Sequence, residues 1–369
     1  MSSGSWDQRI AARNTAIAGA GQWRSIRTLD GRGPVFTLDD GREVVSFASN
    51  DYLGLSQHPL VTDAARGAID RWGTGSGSAR LIVGGRPIHR QLEAELAAWK
   101  GADAALLFPT GFAANLGVLT TFATDGVLVV SDELNHASII DGTRLARGAV
   151  AIARHRDVEH VDALLAAHDG PAIVVTDTVF SMDGDEAHLE ELIAVSARRG
   201  ALVILDEAHA VLGPSVPDTD ARVLRVGTLS KTLGSLGGFV AGPHRYVELL
   251  INAARPFIFT TAPTPADSAA ALAALHVVRS REGAALAARL RAHVERIAPG
   301  HPSPIVPVVL GDEERALEAS VHLLLAHGLL VPAIRPPTVA PGTSRLRIAL
   351  SAAHDPTDVD RLAKALTDL

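Results

Sequence analysis

The sequence predicts an α/β fold, in which a large domain is built on a mostly parallel sheet and a smaller α+β domain follows it. Short apolar, β-branched runs alternate with alanine-rich helical patterns, polar or glycine-containing sequence follows each run closely, and the alternation ends after about residue 280. Parallel strands that are covered by helices on both faces produce this alternation. With 369 residues, 47% of them hydrophobic, the chain can bury a full core.

The first segment, residues 1–45, predicts a helix and then a short hairpin. The letters "DDG" at residues 39–41 are typical of a hairpin turn. We expect the large domain to follow over residues 46–280.

Five apolar runs predict the strands of the large domain. They are AALLF (104–108), GVLVVS (126–131), AIVVT (172–176), ALVILD (201–206) and RVLRV (222–226). Each run is followed by a polar tail, and the carboxyl ends of the strands in an open α/β sheet are where ligands bind. The five tails are therefore expected to converge on one site.

The smaller C-terminal domain is expected over residues 281–369. It begins with a long Ala/Leu/Arg helix and ends with a strand and a helix. Asp355 is predicted to cap the last helix, with Pro356 at its first position.

The composition excludes several classes of function. The formal net charge of −7 and the lack of any basic run give no reason to bind nucleic acid or an anionic membrane. No apolar run approaches the roughly 20 residues of a membrane span. There is no cysteine, the 15 histidines are scattered, and no H-E-x-x-H spacing occurs. We therefore expect a cytoplasmic protein with no metal site.

Lys231 stands out because lysine is rare in this chain. Of the 34 basic residues only three are lysines, at positions 100, 231 and 364, and Lys231 lies in the Gly/Ser/Thr loop "VGTLSKTLGSLGG". An arginine stays protonated, whereas a desolvated lysine amine can lose its proton and attack a carbonyl. Lys231 is thus a candidate nucleophile. Lys100 fits the end of a helix, and Lys364 fits a solvated position on the last helix.

Other tail residues suit an aldehyde cofactor that carries a phosphate. Gly111 and Phe112 open a predicted helix, where free amides and the helix dipole favour a phosphate. Thr228 and Ser230 add hydroxyls beside Lys231. A phosphate and a carbonyl near one lysine suggest pyridoxal 5'-phosphate, which would form a Schiff base with that lysine.

The tail "LDEAHAVLG" allows two interpretations. Asp206, directly after a buried strand, could hold a pyridinium nitrogen protonated, with His209 three residues on. Alternatively, the letters "DEAH" could belong to an ATPase, but the phosphate loop G-x-x-x-x-G-K-[ST] that this requires is absent from the sequence. His136 could stack on a cofactor ring, and Ser181 could hydrogen-bond the cofactor or a substrate.

These motifs, taken in order, resemble the α-oxoamine synthases, which are transferases of fold type I that depend on pyridoxal phosphate. The resemblance covers nearly the whole chain and rests on these stretches: "VSFASNDYLGLSQHP", "GTGSGSARLIVGGRPIHRQLEAELA", "LFPTGFAANLGVL", "DELNHASIIDG", "VFSMDGD", "LDEAHAVLG", "GTLSKTLGSLGG" and "IRPPTVAPGTSRLRIALSAAH".

The resemblance implies a role for each matching residue. Lys231 would form the Schiff base and move the substrate's α-proton, Asp206 would pair with the pyridine nitrogen, and His209 would contact the phenolic oxygen. His136 would stack on the ring. The further cofactor-binding residues would be Ser181, near the phenolic oxygen or the substrate, and Gly111, Phe112, Thr228 and Ser230, around the phosphate.

The resemblance also implies a homodimer whose active site lies at the subunit interface. Thr261 would reach the phosphate from the partner subunit. Arg24, Asn50 and Arg335 match positions expected to bind substrate, with Arg335 taking a carboxylate and Arg347 as a second candidate for that task.

Within the family, the sequence is most similar to members that condense L-alanine with pimeloyl-CoA, or with a pimeloyl-carrier-protein thioester, in biotin synthesis. A glycine acetyltransferase is the alternative within the family. The ATPase interpretation is the alternative from a different class.

Overall fold

The structure is a computed structural model that describes residues 5–217, 219 and 222–369. Residues 1–4 of the predicted first segment lie outside the described residues. The helices are α1 Trp6–Gly19, α2 Pro59–Trp72, α3 Pro87–Lys100, α4 Gly111–Phe122, α5 Ala137–Leu145, α6 Val158–Ala166, α7 Leu189–Arg198, α8 His244–Ala253, α9 Arg255–Ile258, α10 Pro265–Val278, α11 Arg281–Ile297, α12 Glu313–His327 and α13 Pro356–Leu366. A 3₁₀ turn (Leu55–Gln57) and a π-helical turn (Arg80–Gly84) lie among them.

Within the described residues the strands form three sheets. In chain order they are β1 Leu29–Arg32, β2 Val35–Leu38, β3 Glu43–Ser46, β4 Ala104–Phe108, β5 Leu128–Asp132, β6 Ala149–Ala153, β7 Ala172–Asp177, β8 Leu202–Asp206, β9 Val223–Thr228, β10 Gly238–Gly242, β11 Ile305–Gly311, β12 Leu329–Leu330, β13 Ala333–Ile334 and β14 Ser344–Ala349.

The central sheet has seven strands in the order β4-β10-β9-β8-β7-β5-β6. β10 pairs antiparallel with β4 and β9. The other four pairs, β9-β8, β8-β7, β7-β5 and β5-β6, are parallel. The mostly parallel α/β sheet and all five predicted strands are confirmed. The sequence analysis did not predict β6 or the antiparallel β10.

Burial on both faces explains why the central strands read as continuous apolar runs. In β8, Val203, Ile204 and Leu205 are fully buried. Ile204 packs in a core with α4 and α8, whereas Val203 and Leu205 pack under α7 on the other face. Helices on both faces therefore hold the carboxyl ends of the parallel strands at one edge.

The N-terminal segment folds together with part of the C-terminal domain. After α1, which has no buried residue, β1, β2 and β3 form a meander, and the predicted turn at residues 39–41 joins β2 to β3. β3 then pairs in parallel with β12 from the C-terminal region. The domain boundaries after residues 45 and 280 stay a prediction.

The C-terminal region is a smaller α+β layer. Its antiparallel sheet has the order β11-β14-β13, and α12 and α13 contact this layer. The Asp355 side chain accepts a hydrogen bond from Thr357 N at 2.8 Å, so the predicted cap of α13 is confirmed. None of the helices that the structure describes is long and apolar enough to cross a membrane.

Candidate active site

The tails of five parallel strands meet at one cavity of about 200 Å³. Residues after β4, β5, β8 and β9 line it, as does the last residue of β7. The convergence predicted from the sequence is therefore confirmed. The lining residues are Thr110, Gly111, Phe112, Asn115, His136, Ser138, Asp177, Asp206, Ala208, His209, Gly227, Thr228, Ser230 and Lys231.

One end of the cavity is built to receive an anion. Thr110 caps α4 by accepting a hydrogen bond from Ala113 N at 3.0 Å. Gly111 and Phe112 lie in the first turn of α4, where amides have no acceptor within the helix. The hydroxyls of Thr228 and Ser230 lie 2.8 Å apart on the facing loop. Amides, hydroxyls and the helix dipole thus point into the same volume.

Glycine at position 111 leaves room where the end of β9 comes close. A Cβ atom added to Gly111 would lie 3.2 Å from Thr228 Cβ. The glycine therefore keeps open the space between the start of α4 and the hydroxyl loop.

Lys231 lies beside a neutral histidine. Its Nζ is 2.9 Å from His209 Nε2. Burial lowers the pKa of Lys231, although the charges of Asp206 and Asp177 act in the opposite direction. Burial and the Lys231 charge hold the pKa of His209 well below its usual range. Loss of a proton from Lys231 is therefore easier than from a solvated lysine.

Tyr52 fixes the orientation of His209. Its hydroxyl is 2.6 Å from His209 Nδ1 and donates to Asn50 Oδ1 at 3.1 Å. The Tyr52 hydroxyl and the Lys231 amine therefore contact the two ring nitrogens of His209 and hold the imidazole from both sides. Burial raises the pKa of Tyr52 to about 12, so the hydroxyl stays protonated.

Two buried carboxylates lie side by side at the floor of the cavity. Asp177 ends β7 and is in register with Asp206 at the end of β8. Asp206 accepts hydrogen bonds from Asn115 Nδ2 at 2.6 Å and from Ala208 N at 2.9 Å. Burial, followed by the charge of Asp206, raises the pKa of Asp177 well above its usual range.

His136 caps α5 and borders the cavity. Its backbone N–H donates to Asp177 at 2.7 Å, while its Nδ1 contacts the Ser138 hydroxyl at 2.8 Å. The backbone N–H of Ser138 also donates to Nδ1, at 3.3 Å, so the ring proton belongs on Nε2. Burial lowers the pKa of His136, which favours a neutral imidazole.

The C-terminal sheet delivers a buried guanidinium to the same network. Arg347, in β14, donates to the Ser181 carbonyl at 2.5 Å and to Asn50 Oδ1 at 3.3 Å. Arg347 also contributes to the lowered pKa values of Lys231 and His209. Its neighbour Arg345 is paired with Asp183. Arg347 is therefore the arginine of this region that acts on the cavity.

The turn that carries Ser181 is held by an ion cluster. His155 lies 3.0 Å from Asp132 through Nδ1 and 2.9 Å from Asp185 through Nε2. Burial opposes the charged form of His155, but hydrogen bonds to the two aspartates outweigh it and raise the pKa to about 9. Because Asp185 O accepts from Phe180 N at 3.0 Å, the cluster braces this turn.

The structure brings together most of the residues that the sequence singled out. Eight of them line the cavity: Lys231, Asp206, His209, His136, Gly111, Phe112, Thr228 and Ser230. Ser181 and Asn50 reach it through Arg347 and Tyr52. The roles assigned to these residues stay predictions.

Three predicted site residues lie elsewhere in this chain. Thr261 and Arg24 are exposed and are not part of the cavity lining. Arg335 donates to the Gly21 carbonyl at 3.2 Å and lies 3.7 Å from Glu313. The predicted roles of Thr261 across a subunit interface, and of Arg24 and Arg335 in substrate binding, remain predictions.

Sequence reasoning missed Asn115, Tyr52 and Asp177. Asp177 could have been found, because it ends a buried apolar run in the same way as Asp206 does. Asn115 and Tyr52 gave no such signal, since their partners are distant in sequence.

The geometry around "DEAH" does not suit an ATPase. Glu207, the second acidic residue, pairs with Arg225 at 2.5 Å and with Lys100 at 3.0 Å, and its side chain is 3% exposed. Both of its oxygens are occupied by cations, so Glu207 is not placed to organise magnesium. Lys100 is therefore a buried ion-pair partner and not only a helix-end charge.

Comparison with known proteins gives a consistent assignment. Residues 42–366 match the family described as aminotransferase class I and II. A protein from Methylobacterium sp. (strain 4-46) named 8-amino-7-oxononanoate synthase is 45% identical, over 99% of this chain and 97% of its own length. One of the same name from Anaeromyxobacter dehalogenans (strain 2CP-1 / ATCC BAA-258) is 48% identical, over 97% of this chain and 94% of its own.

Solved structures share the fold. A serine palmitoyltransferase from S. paucimobilis, with a bound PLP-myriocin aldimine, has a TM-score of 0.89 at 28% sequence identity. The match covers 97% of this chain and 96% of that one. An 8-amino-7-oxononanoate synthase from Francisella tularensis has a TM-score of 0.73 at 25% identity and covers 88% of this chain and 96% of its own.

Proposed function

This chain belongs to the aminotransferase class I and II family, and on that premise we propose that it is an 8-amino-7-oxononanoate synthase dependent on pyridoxal phosphate. It would condense L-alanine with pimeloyl-CoA, or with a pimeloyl-carrier-protein thioester, releasing CoA or the carrier and CO2. The observation that carries the proposal is the 43–48% identity, over nearly the whole chain, to relatives of that name.

The cavity fits pyridoxal phosphate by the chemistry of its residues. The amides of Gly111 and Phe112 and the hydroxyls of Thr228 and Ser230 would hold the phosphate. The opening beside Gly111, which a Cβ would narrow, leaves room for it. The two N–H groups on Asp206 keep a carboxylate ready for the pyridine nitrogen at the other end.

The cofactor, when bound, supplies an aldehyde for an amine and a protonated ring that stabilises negative charge at the α-carbon of an amino acid. Asp206 would hold the ring proton, and His136 would cover one face of the ring. Lys231 would hold and move the α-proton at Nζ, since its environment eases the loss of a proton.

His209 and Tyr52 would orient the amine of Lys231. In the network described above, His209 Nε2 lies 2.9 Å from Nζ, and Tyr52 holds the ring through Nδ1. A neutral imidazole in this position leaves the proton of Lys231 free to be used elsewhere.

Arg347 is our candidate for binding the carboxylate of L-alanine. It is a buried cation on the cavity side of β14, and Asn50 and the Ser181 carbonyl hold its guanidinium in place. Arg335 and Arg24 remain proposed substrate residues that would have to move or act from the mouth of the site.

We propose that the working form is a homodimer. The apolar residues Ile82, Val83 and Phe259 are 69–74% exposed, and Phe112, at the cavity itself, is 42% exposed. A second copy would cover such a patch and could bring Thr261 to the phosphate. The cytoplasmic location stays a prediction from the sequence.

The first test is the absorbance spectrum of the purified protein with added pyridoxal phosphate, beside Lys231→Ala. A visible band that depends on Lys231 and responds to L-alanine more than to glycine is expected. Product formation is then measured with pimeloyl-CoA and with acetyl-CoA.

Condensation of L-alanine with pimeloyl-CoA supports the proposal. Turnover of glycine with acetyl-CoA alone would instead assign a glycine acetyltransferase. The lack of any Lys231-dependent band would overturn the cofactor and the activity together.

A further inference from the structure

Asn115 is a buried asparagine whose amide faces the carboxylate pair. It is 1% exposed, and Nδ2 donates to Asp206 at 2.6 Å and to Ser138 Oγ at 2.8 Å. Both amide hydrogens are thus used, whereas Oδ1 is buried with no partner within the described part of the chain. The opposite amide orientation would set Oδ1 against a carboxylate oxygen, so the side chain is held as a donor.

The two carboxylates differ in how many N–H donors they receive. Asp206 receives two, from Asn115 and from the backbone of Ala208. Asp177 receives the backbone N–H of His136 at 2.7 Å, which is its one N–H donor among the described residues. Hydrogen bonds from N–H groups stabilise the ionised form of a carboxyl group. The Asn115 amide is therefore the donor that makes the pair unequal.

Two buried carboxylates in register cannot both be ionised without a large repulsion. Lys231 is the cation that acts on both, and Asp132 is a further anion acting on Asp177. Burial and the charge of Asp206 raise the pKa of Asp177. Lys231 acts on both carboxylates, and on Asp206 more strongly, so it favours the same site for the charge as the extra N–H donor of Asn115 does.

We propose that Asn115 is a positioning residue that makes Asp206, and not Asp177, the ionised carboxylate of the pair. The inference deepens the proposed function and rests on it, because Asp206 is the group proposed to face the pyridine nitrogen. Ser138 completes the hydrogen-bond network: its oxygen accepts the second amide hydrogen of Asn115, while its own hydroxyl donates to His136 Nδ1.

The test compares Asn115→Asp with Asn115→Ala in the full-length protein. Asn115→Asp keeps the shape but replaces the fixed N–H donor by a third carboxyl group that competes with Asp206 for the negative charge, whereas Asn115→Ala removes the donor and leaves space. Two quantities are measured: the dissociation constant for pyridoxal phosphate and the pH at which the absorbance band of the bound cofactor changes.

Asn115→Asp is expected to weaken cofactor binding by about tenfold or more, since the negative charge is then shared with the new carboxyl group and is no longer held on Asp206 by an N–H donor. The pH at which the band changes is expected to shift by about one unit or more. Asn115→Ala should show a smaller change in both quantities, since water can enter and donate to Asp206. If Asn115 only filled space, Asn115→Ala would show the larger change in both quantities and Asn115→Asp the smaller.

Asn135→Asp is the matched control. Asn135 is also buried, but its amide donates to Ser131 Oγ and to the Val175 carbonyl, both at 2.9 Å; its Oδ1 accepts from Asp177 N at 2.9 Å, and none of these contacts involves the carboxyl group of Asp206. A loss of cofactor affinity in Asn135→Asp as large as that in Asn115→Asp would overturn the proposal.

The remaining outcomes separate this inference from the proposed function. A normal band and normal affinity in Asn115→Asp would overturn the inference alone. The absence of a Lys231-dependent band in the unchanged protein would overturn the proposed function and the inference with it.

Discussion

Replacing Glu207 by glutamine should destabilise the protein strongly, although Glu207 is not proposed to touch substrate. Its side chain is 3% exposed and lies between Lys100 Nζ at 3.0 Å and the Arg225 guanidinium at 2.5 Å. Burial alone would raise the pKa of Glu207, but the two cations outweigh it and lower the pKa. The carboxylate is therefore ionised at neutral pH, and its removal leaves two buried cations with one neutral partner.

The size of the effect follows from the burial of the whole cluster. Removing one member of a buried ion pair costs about 3–5 kcal/mol. The entropy of unfolding, about 2.1 cal/mol/K per residue, converts this cost to a fall in Tm of about 4–6 °C for this chain. Thermal unfolding is followed at saturating pyridoxal phosphate in every sample, so that binding contributes equally.

A second substitution tests the cause. Lys100→Met alone should cost less, because Glu207 keeps Arg225. The double variant should be more stable than the sum of the two losses predicts, by about 1 kcal/mol or more, since one unpaired cation has been removed.

The exposed pair between Arg66 and Asp63, with side chains 70% and 68% exposed, provides the control. Asp63→Asn should change stability by less than about 0.5 kcal/mol. A Tm within about 1 °C of the unchanged protein for Glu207→Gln, or strict additivity of the two core substitutions, would mean that the Glu207 carboxylate does not neutralise the two cations.

Three further predictions concern the cavity and the turn beside it. Tyr52→Phe leaves His209 Nδ1 without its 2.6 Å partner, so the free energy of unfolding in urea should fall by about 1–3 kcal/mol; an unchanged value would contradict the network. The pKa of His155, raised to about 9 in the folded state against 6.5 for the ordinary group, adds stability that is complete below pH about 6.5 and lost as pH rises through about 9. His155→Gln should abolish that loss, and a comparison of urea midpoints at pH 6 and pH 10 checks it. Gly111→Ala places a Cβ 3.2 Å from Thr228 Cβ and should weaken cofactor binding by about tenfold without lowering the Tm of the cofactor-free protein; unchanged affinity would mean that the loop gives way.

The sequence was sufficient for the sheet and for the edge at which the site lies. The five apolar runs are strands because both of their faces are buried, and their polar tails converge because parallel strands end at one edge. β10 escaped prediction because its letters "GFVAG" follow the glycine-rich loop, and nothing local marks its antiparallel direction. The pairing of β3 with β12 joins Val45 to Leu329, 284 positions apart, which no local pattern can indicate.

A site residue could be predicted where its own side chain carries the chemistry. It could not be predicted where its role depends on a distant partner. Asp206 and His209 could be singled out from one short tail. Tyr52 and Asn115 matter only through partners 157 and 91 positions away. A tyrosine or an asparagine in a buried segment gives no sign of the group that it will orient, so residues of this kind become visible only in three dimensions.

The three lysines of this chain have different surroundings. Lys364 is exposed, as predicted, but Lys100 and Lys231 both lie in the interior near the strand ends. Burial lowers the pKa of both amines. The Lys100 ammonium group lies 3.0 Å from the Glu207 carboxylate, whose charge opposes this shift, and 3.9 Å from the Trp99 ring centre. The nearest polar partner of Lys231 is instead a neutral imidazole in the cavity. The same side chain is thus an ion-pair partner at one position and an amine beside a neutral ring at the other, and the groups around it decide which.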